Sequence, residues 1–157
     1  MSRPQRLYRF GYRGAHRYFL TFCTRDRRPT FHDAHVVALV IAQIRRTACG
    51  SGFVILAYCV MPDHAHLLVE GTSASADLRE FVKRAKQASG QAYARAARRP
   101  LWQEGYYERI VRPGDDARRL VRYIVDNPVR AGLVRVPADY PYLGSDVCSR
   151  NELLASL

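Results

Sequence analysis

Two histidines one residue apart are the most chemically informative pair in the sequence. His64 and His66 lie in an extended apolar run, HAHLLV, and alternate residues of a strand point to the same face. The two imidazoles can therefore converge on one metal ion. The alternative is a pair of hydrogen-bonded sheet histidines with no ligand. The apolar neighbours favour a metal or a phosphate as a ligand, because unpaired polar groups are costly in an apolar setting.

A second group of polar residues lies on the helix predicted near the end of the chain. Tyr123 falls outside the apolar arc of this helix, on the side of Arg119 and, if the helix continues, of Asn127. The arc itself consists of Ala117, Leu120, Val121, Ile124 and Val125. A phenol, a guanidinium and a carboxamide along one helix edge suit phosphate chemistry. An ordinary surface tyrosine on an amphipathic helix is the alternative.

The charge balance points to a nucleic-acid partner. The 157 residues contain 25 Lys+Arg and 14 Asp+Glu, a formal net charge of +11, and all but two of the basic residues are Arg. Arg binds phosphate oxygens in pairs and stacks on bases. The predicted DNA-binding residues are Arg3, Arg6, Arg9, Arg13, Arg79, Lys83, Lys86 and Arg119. For the two lysines and Arg79, a solvated helix surface is the alternative. For the net charge of the whole chain, the alternative is that it keeps the protein soluble and that the preference for Arg reflects a GC-rich coding sequence.

Composition excludes several classes of protein. Hydrophobic residues make up 48% of the chain, enough for a core, and no apolar run approaches the ~20 residues of a membrane span. The first residues are basic but lack the apolar stretch of a secretory signal, so we expect a cytoplasmic protein, associated with the nucleoid through DNA. The 4 cysteines form no CxxC pair, which argues against a zinc site. We predict one domain, 1–157, with a basic arm (1–16) and an irregular tail (137–157) that packs on the core.

The order of elements predicts the fold class. Apolar periodicity predicts strands over 17–24, 53–60, 64–70 and 101–111, and helices over 33–47, 77–97 and 115–126. Pro128 is expected to end the last helix. This βαββαβα order is typical of an α+β, ferredoxin-like (RRM-like) antiparallel sheet with helices on one face. The third strand lacks the aromatic signature of RNA-binding modules with this fold.

Three motifs carry a family resemblance. YCVMPDHAHLLVEG (58–71), LWQEGYYERIV (101–111) and RYIVDNPVRAGLV (122–134) resemble the REP-associated tyrosine transposases, which are single-tyrosine members of the HUH nuclease superfamily. The similarity runs in order over 8–144. It implies the HUH endonuclease fold and a metal-dependent endonuclease and strand transferase acting on single-stranded DNA. His64 and His66 match the HUH pair, Tyr123 the nucleophile, and Asn127 the polar position that completes the metal site. The expected ion is Mg²⁺ or Mn²⁺, since the substrate phosphate supplies hard oxygen ligands.

The resemblance also implies a substrate and a reaction. The expected substrates are hairpins of the repetitive extragenic palindrome (REP) type, cut through a 5′-phosphotyrosine with release of a 3′-OH. One alternative is a DNA- or RNA-hairpin-binding module that no longer cuts. Another is an HUH nuclease of the replication-initiator or relaxase type. Tyr106 and Tyr107 are rival tyrosines that we interpret as packing or base contacts. Both a monomer and a homodimer that exchanges the tyrosine helix are compatible with the sequence.

Overall fold

The computed structural model, which describes residues 10–156, contains five strands and four α-helices in this range. The strands are β1 (Arg17–Cys23), β2 (Phe53–Met61), β3 (His64–Gly71), β4 (Tyr107–Val111) and β5 (Leu143–Gly144). The helices are α1 (Ala34–Gly50), α2 (Leu78–Ala97), α3 (Ala117–Arg130) and α4 (Arg150–Ala155), with short 3-10 turns at Arg25–Arg27 and Pro137–Asp139. All strand pairs are antiparallel, in the order β4-β1-β3-β2-β5.

The central strand β3 divides its side chains between two cores, as the period of two requires. Ala65, Leu67 and Val69 belong to the core beneath α1 and α2. Leu68 belongs to the second core, together with residues of α3 and of the C-terminal segment. The predicted fold class is confirmed, and α1 and α2 share one face as expected. The other face is covered by α3 and the tail.

Helix α3 is longer than predicted. The expectation that it ends near Pro128 is wrong, because the helix includes this residue and runs to Arg130. The proline lies in the last turn, and only two residues of the helix follow it. The end of the helix is closed by bonds from the N–H of Leu133 to the carbonyl of Pro128 and from Gly132 to Val129. Gly132 has the positive φ that this ending requires.

Strand β4 is shorter than predicted, since it begins at Tyr107 and not at residue 101. Gly105, with a positive φ, turns the chain just before the strand. Residues 101–106 form a loop in which the Trp102 side chain is buried. Its indole N–H donates to the hydroxyl of Ser89 at 2.9 Å. Trp102, at the start of this segment, therefore anchors the loop on α2.

The C-terminal tail packs on the core, as predicted, but is more regular than expected. Strand β5 pairs with β2, and α4 closes the described chain. The hydroxyl of the buried Tyr140 donates to the carbonyl of Val60 at 2.7 Å. Within residues 10–156 no helix is long and apolar enough to cross a membrane.

Candidate active site

The site starts from the pairing of β1 with β3. In this register Cys23 lies opposite His64 and Thr21 opposite His66. Both imidazoles lie on the sheet face that α3 covers, and their Nε2 atoms are 3.1 Å apart. His66 is only 3% exposed, whereas His64 is partly buried. The predicted convergence of the two histidines is therefore present in the structure.

The second nitrogen of each imidazole has its own partner. Nδ1 of His64 lies 2.7 Å from Oδ1 of Asp63, and Nδ1 of His66 lies 2.9 Å from the hydroxyl of Thr21. The other carboxylate oxygen of Asp63 accepts a hydrogen bond from Nε of Arg27 at 2.9 Å. Contacts of this kind at Nδ1 direct Nε2 toward a ligand and are typical of metal-binding histidines.

The electrostatics of the pair favour neutral imidazoles. Burial lowers the pKa of His66 to about 3, with smaller contributions from the nearby His64 and Arg27. Burial also lowers the pKa of His64, although the hydrogen bond with Asp63 opposes this shift. Burial alone would raise the pKa of Asp63, but its contacts with His64 and Arg27 leave that pKa below its usual value. At pH 7 the pair is thus neutral beside a charged carboxylate.

These residues fit a divalent cation. Two neutral imidazoles with convergent Nε2 atoms are suitable ligands. Among residues 10–156, no cluster of three or more His, Cys, Asp or Glu side chains could hold a metal ion. Asn127 is half-buried on α3, one turn after Tyr123. Within the described chain its side chain makes no hydrogen bond with either histidine. Its role as a ligand stays a prediction.

Tyr123 lies beside the histidine pair. Its ring contacts the rings of His66 and Phe19 edge-on, each at 5.8 Å between centroids, and its side chain is 36% exposed. The guanidinium of Arg130 lies 5.1 Å from the centre of the Tyr123 ring. A cavity of about 430 Å³ is lined by Phe19, Thr21, His66, Tyr107, Arg109, Leu120 and Tyr123. The predicted nucleophile and one of the predicted metal ligands therefore open onto the same space.

The two rival tyrosines occupy different faces of the sheet. Tyr107 lines the cavity and contacts Phe19 edge-on at 6.3 Å between ring centroids. Tyr106 contacts Phe22, a residue of the core beneath α1 and α2. Tyr107 is thus the only one of the two rivals that shares the cavity with Tyr123.

The predicted DNA-binding residues divide between the two sides of the sheet. Arg119 is exposed on α3, the helix of Tyr123. Arg13 pairs with Asp77 at 3.1 Å, next to the start of α2. Three of the predicted residues lie on α2 itself: Arg79, Lys83 and Lys86. The guanidinium of Arg79 lies over the ring of Tyr12, and Lys83 is exposed. Arg3, Arg6 and Arg9 lie outside the described residues.

Lys86 has a structural contact that sequence reasoning did not foresee. Its ammonium donates to the carbonyl of Gln103 at 2.8 Å and also to that of Gly105. The side chain thereby holds the loop that precedes β4. The structure does not bring Lys86 or the other predicted basic residues of α2 next to Tyr123.

Sequence reasoning missed several residues of the site. Arg130 was detectable in principle, because it follows Tyr123 by two helical turns, but only if α3 continues past Pro128. Arg109 lines the cavity from β4, and its side chain lies 3.8 Å from a carboxylate oxygen of Asp115. Thr21 can be recognised as a neighbour of His66 only once the register of β1 and β3 is known. Arg27 carries no sequence signal at all.

Comparison with known proteins identifies the class as transposase. The family model described as "Transposase IS200 like" matches residues 13–127, most of the chain. The chain belongs to the IS200-like transposase family.

Individual relatives agree with this assignment. A protein of Haemophilus influenzae, provisionally named a REP-associated tyrosine transposase, is 27% identical over 139 residues, 80% of this chain and 77% of that protein. The REP-associated tyrosine transposase of Escherichia coli K12 is 28% identical over 130 residues, which cover 80% of this chain and 73% of that protein. A solved structure of a REP-associated tyrosine transposase bound to a REP hairpin matches with a TM-score of 0.73 and 25% identity, over 88% of this chain and 82% of that one. The resemblance carried by the three motifs is confirmed.

Proposed function

We propose that this transposase is a metal-dependent single-stranded DNA endonuclease and strand transferase that acts at hairpin elements. One observation carries the proposal: Nε2 of His64 and Nε2 of His66 converge to 3.1 Å, and Tyr123 contacts His66 at the edge of an open cavity. The similar structure that holds a REP hairpin supports hairpins of that type as the substrate.

Tyr123 is the proposed nucleophile. Its phenolic oxygen attacks the scissile phosphorus, so that an O–P bond to tyrosine forms while the bond from phosphorus to the 3′ oxygen breaks. The phenolic proton is released, and the departing 3′ oxygen takes up a proton. The products are a 5′-phosphotyrosine and a free 3′-OH. Attack by a different 3′-OH on the phosphotyrosine reverses these changes and joins two strands without an external energy source.

A cation held by the histidine pair, together with nearby arginines, would provide positive charge for this reaction. His64 and His66 would hold Mg²⁺ or Mn²⁺ through Nε2, with Asn127 as the proposed third ligand. Bound there, the cation would polarise the scissile phosphate and stabilise charge in the transition state. Arg109 lines the same cavity and can contact a phosphate oxygen. Arg130, over the ring of Tyr123, would hold the phenol in place.

The cavity is also suited to an unpaired nucleotide. Phe19 and Leu120 give it an apolar wall, on which a base can stack or pack. Arg119 is exposed on the same helix as Tyr123 and is placed to contact the phosphate backbone. A single strand that enters this cavity would bring a phosphate close to both Tyr123 and His66.

Cleavage of a labelled hairpin tests the proposal. Single-stranded hairpin DNA from repeats of the host, labelled at its 3′ end, is incubated with the protein in Mn²⁺ or in EDTA. We expect a labelled covalent protein–DNA adduct in Mn²⁺ only, absent in Tyr123→Phe and retained in Tyr107→Phe. An adduct that survives Tyr123→Phe and is lost in Tyr107→Phe would assign the nucleophile to Tyr107 instead.

The remaining outcomes identify the alternatives. Binding without a cut or an adduct across several hairpins would favour a non-catalytic hairpin-binding module. Cleavage of plasmid-origin sequences in preference to hairpin foot sequences would favour an enzyme of the relaxase or replication-initiator type. An absence of binding would show that hairpins are the wrong class of substrate.

A further inference from the structure

The outer surface of α1 and α2 carries an open groove of about 410 Å³, which we call the α1–α2 groove. Its walls include Arg46, Thr47 and Ser51 from the end of α1, and Arg84, Gln87 and Gln91 from α2. These two helices cover one face of the sheet, and α3 covers the other. The groove and Tyr123 therefore lie on opposite sides of the sheet.

Both walls of the groove supply positive charge and hydrogen-bond donors. Within residues 10–156 Arg46 has no ion pair, and the single pair of Arg84, to Glu80 at 3.5 Å, is exposed. Exposed pairs of this kind contribute little and open easily. The side-chain amides of Gln87 and Gln91 are also exposed and can donate. Arginine and amide donors on two facing walls are suited to phosphate oxygens.

The charge of the surrounding helix surface is almost entirely of one sign. Glu80 is the only acidic residue of α1 and α2. Their seven basic residues are Arg45, Arg46, Arg79, Lys83, Arg84, Lys86 and Arg95. Lys83 and Arg95 are exposed, so the positive surface continues along α2 beyond the groove. A helix face that is only solvated commonly mixes both signs of charge, so this surface favours a polyanion as its partner.

The side chains of the groove favour duplex DNA over a single strand. Proteins that bind unpaired bases stack them on aromatic rings, which the cavity at Tyr123 provides in Phe19 and Tyr107. None of the described residues that line the groove is aromatic. In a duplex the bases pair with each other and the phosphates face outward, so that charged and amide donors are sufficient for binding.

The position of the groove separates the two kinds of DNA. A strand that runs from the groove to the cavity must pass around an edge of the sheet, since the sheet and its two cores lie between them. Duplex DNA is stiff over the length of such a small domain. A duplex seated in the groove therefore cannot bend toward Tyr123, which favours a separate DNA segment as the occupant.

We propose that the α1–α2 groove binds the phosphate backbone of a DNA duplex, and that this duplex is a segment separate from the hairpin at Tyr123. One protein molecule then holds two DNA segments at once, on opposite sides of its sheet. The contacts are to the backbone, so binding does not depend on the sequence of the duplex. The inference goes beyond cleavage, because it involves no chemistry at Tyr123.

A ternary complex tests the proposal. The full chain is saturated with an unlabelled REP-type hairpin, and fluorescence anisotropy measures the binding of a short, blunt-ended, labelled duplex. We expect the duplex to bind the hairpin-saturated protein, and to bind more tightly than a single strand of the same length. Displacement of the duplex by the hairpin would overturn the proposal, because both would then occupy one surface. Equal or tighter binding of the single strand would overturn the assignment to a duplex.

Matched double variants locate the duplex. Arg46→Gln/Arg84→Gln should lower the slope of log K against log salt for the duplex by about 1.8, or ~0.9 for each lost phosphate contact, and leave the slope for the hairpin unchanged. Arg118→Gln/Arg135→Gln removes the same charge from exposed positions outside the groove and should leave the duplex slope unchanged. Equal reductions in the two double variants would show that the duplex responds to overall charge, which overturns the groove as its site. Circular dichroism checks that each variant is folded.

The two proposals fail in different ways. If the protein holds hairpin and duplex together but forms no adduct in Mn²⁺, the proposed cleavage is wrong and the groove stands. If the adduct forms and the hairpin-saturated protein binds no duplex, the cleavage stands and the groove is wrong.

Discussion

His66 is the residue around which the candidate site is built. Thr21 holds one ring nitrogen, His64 approaches the other to 3.1 Å, and the ring of Tyr123 lies against its edge. Because the side chain is almost fully buried, its chemistry depends on these neighbours more than on solvent. A small displacement of β1 or of α3 would change what His66 can bind.

Burial of His66 makes the metal-free protein sensitive to acid. Its folded pKa of about 3 lies below the ordinary value of 6.5, so the unfolded chain binds more protons between these two pH values. Stability is therefore complete above pH 6.5 and is lost as the pH falls. We expect the free energy of unfolding to decrease by ~2 kcal/mol from this residue between pH 7 and pH 5. Urea unfolding in EDTA over a pH series measures it.

Variants identify the source of this pH dependence. His66→Gln removes this titrating group and should make the curve between pH 7 and pH 5 shallower, while the contribution of His64 remains. His32 is exposed, so that His32→Gln should leave the curve unchanged. An equally steep curve in His66→Gln would show that other groups dominate the acid response.

At the scale of elements, the end of α3 determines where Tyr123 and Asn127 lie. Gly132 has a φ of 72°, and a Cβ added there would meet no heavy atom within 4 Å, so an alanine would be strained by its backbone alone. We expect Gly132→Ala to lower the free energy of unfolding by about 1 kcal/mol, measured by urea unfolding. Gly50→Ala, at an open position at the end of α1 with no positive φ, should be neutral or slightly stabilising. Equal effects of the two substitutions would contradict this account of the helix end.

A buried hydroxyl helps to attach the tail to β2. Tyr140→Phe removes the 2.7 Å hydrogen bond to the carbonyl of Val60 and should cost about 1 kcal/mol in thermal or urea unfolding. Tyr142→Phe is the matched control, because within residues 10–156 the Tyr142 hydroxyl makes no hydrogen bond. A similar loss in both variants would mean that ring packing, and not the hydroxyl, holds the tail.

Periodicity in the sequence predicted the elements well and their ends poorly. The alternation in HAHLLV placed His64 and His66 on one face, and the apolar arc of α3 left Tyr123 outside the core. The prediction that α3 ends near Pro128 was wrong because the end of the helix depends on how its last turn is closed. Backbone hydrogen bonds from Gly132 and Leu133 close that turn, and the sequence alone does not show them. Thr21 and Arg27 were beyond sequence reasoning, since their contacts depend on strand register and on a left-handed turn.

For the molecule as a whole, the positive charge is not confined to the candidate active site. Arg109, Arg119 and Arg130 lie on the side of Tyr123, whereas Arg13 and Lys83 lie on the side of α2. The net charge of +11 favours DNA binding from any direction, and local contacts must then select the strand that reaches Tyr123.

The salt dependence of hairpin binding distinguishes a basic side chain that contacts DNA phosphate from one that only stabilises the fold. We expect hairpin affinity to fall steeply with NaCl, and Arg119→Gln to reduce the slope of log K against log salt by about 0.7–0.9, the loss of one phosphate contact. Lys86→Gln should instead lower thermal stability and leave the slope unchanged, because Lys86 holds carbonyls of the loop before β4. Fluorescence anisotropy at several NaCl concentrations measures the slopes, and thermal unfolding measures the stability. A reduced slope for Lys86→Gln alone would place the DNA on the α2 side.

The order of the β-strands keeps the strand of the histidine pair from pairing with a β-strand of another protein molecule. The edge positions of the described sheet belong to its two shortest strands, the five-residue β4 and the two-residue β5, and the outer strand β4 carries the exposed Arg109. Short and charged edges offer a poor template for a strand from another copy of the chain. β3 lies at the centre, two strands away from either edge. Copies of this chain can therefore come close together without their sheets joining into aggregates.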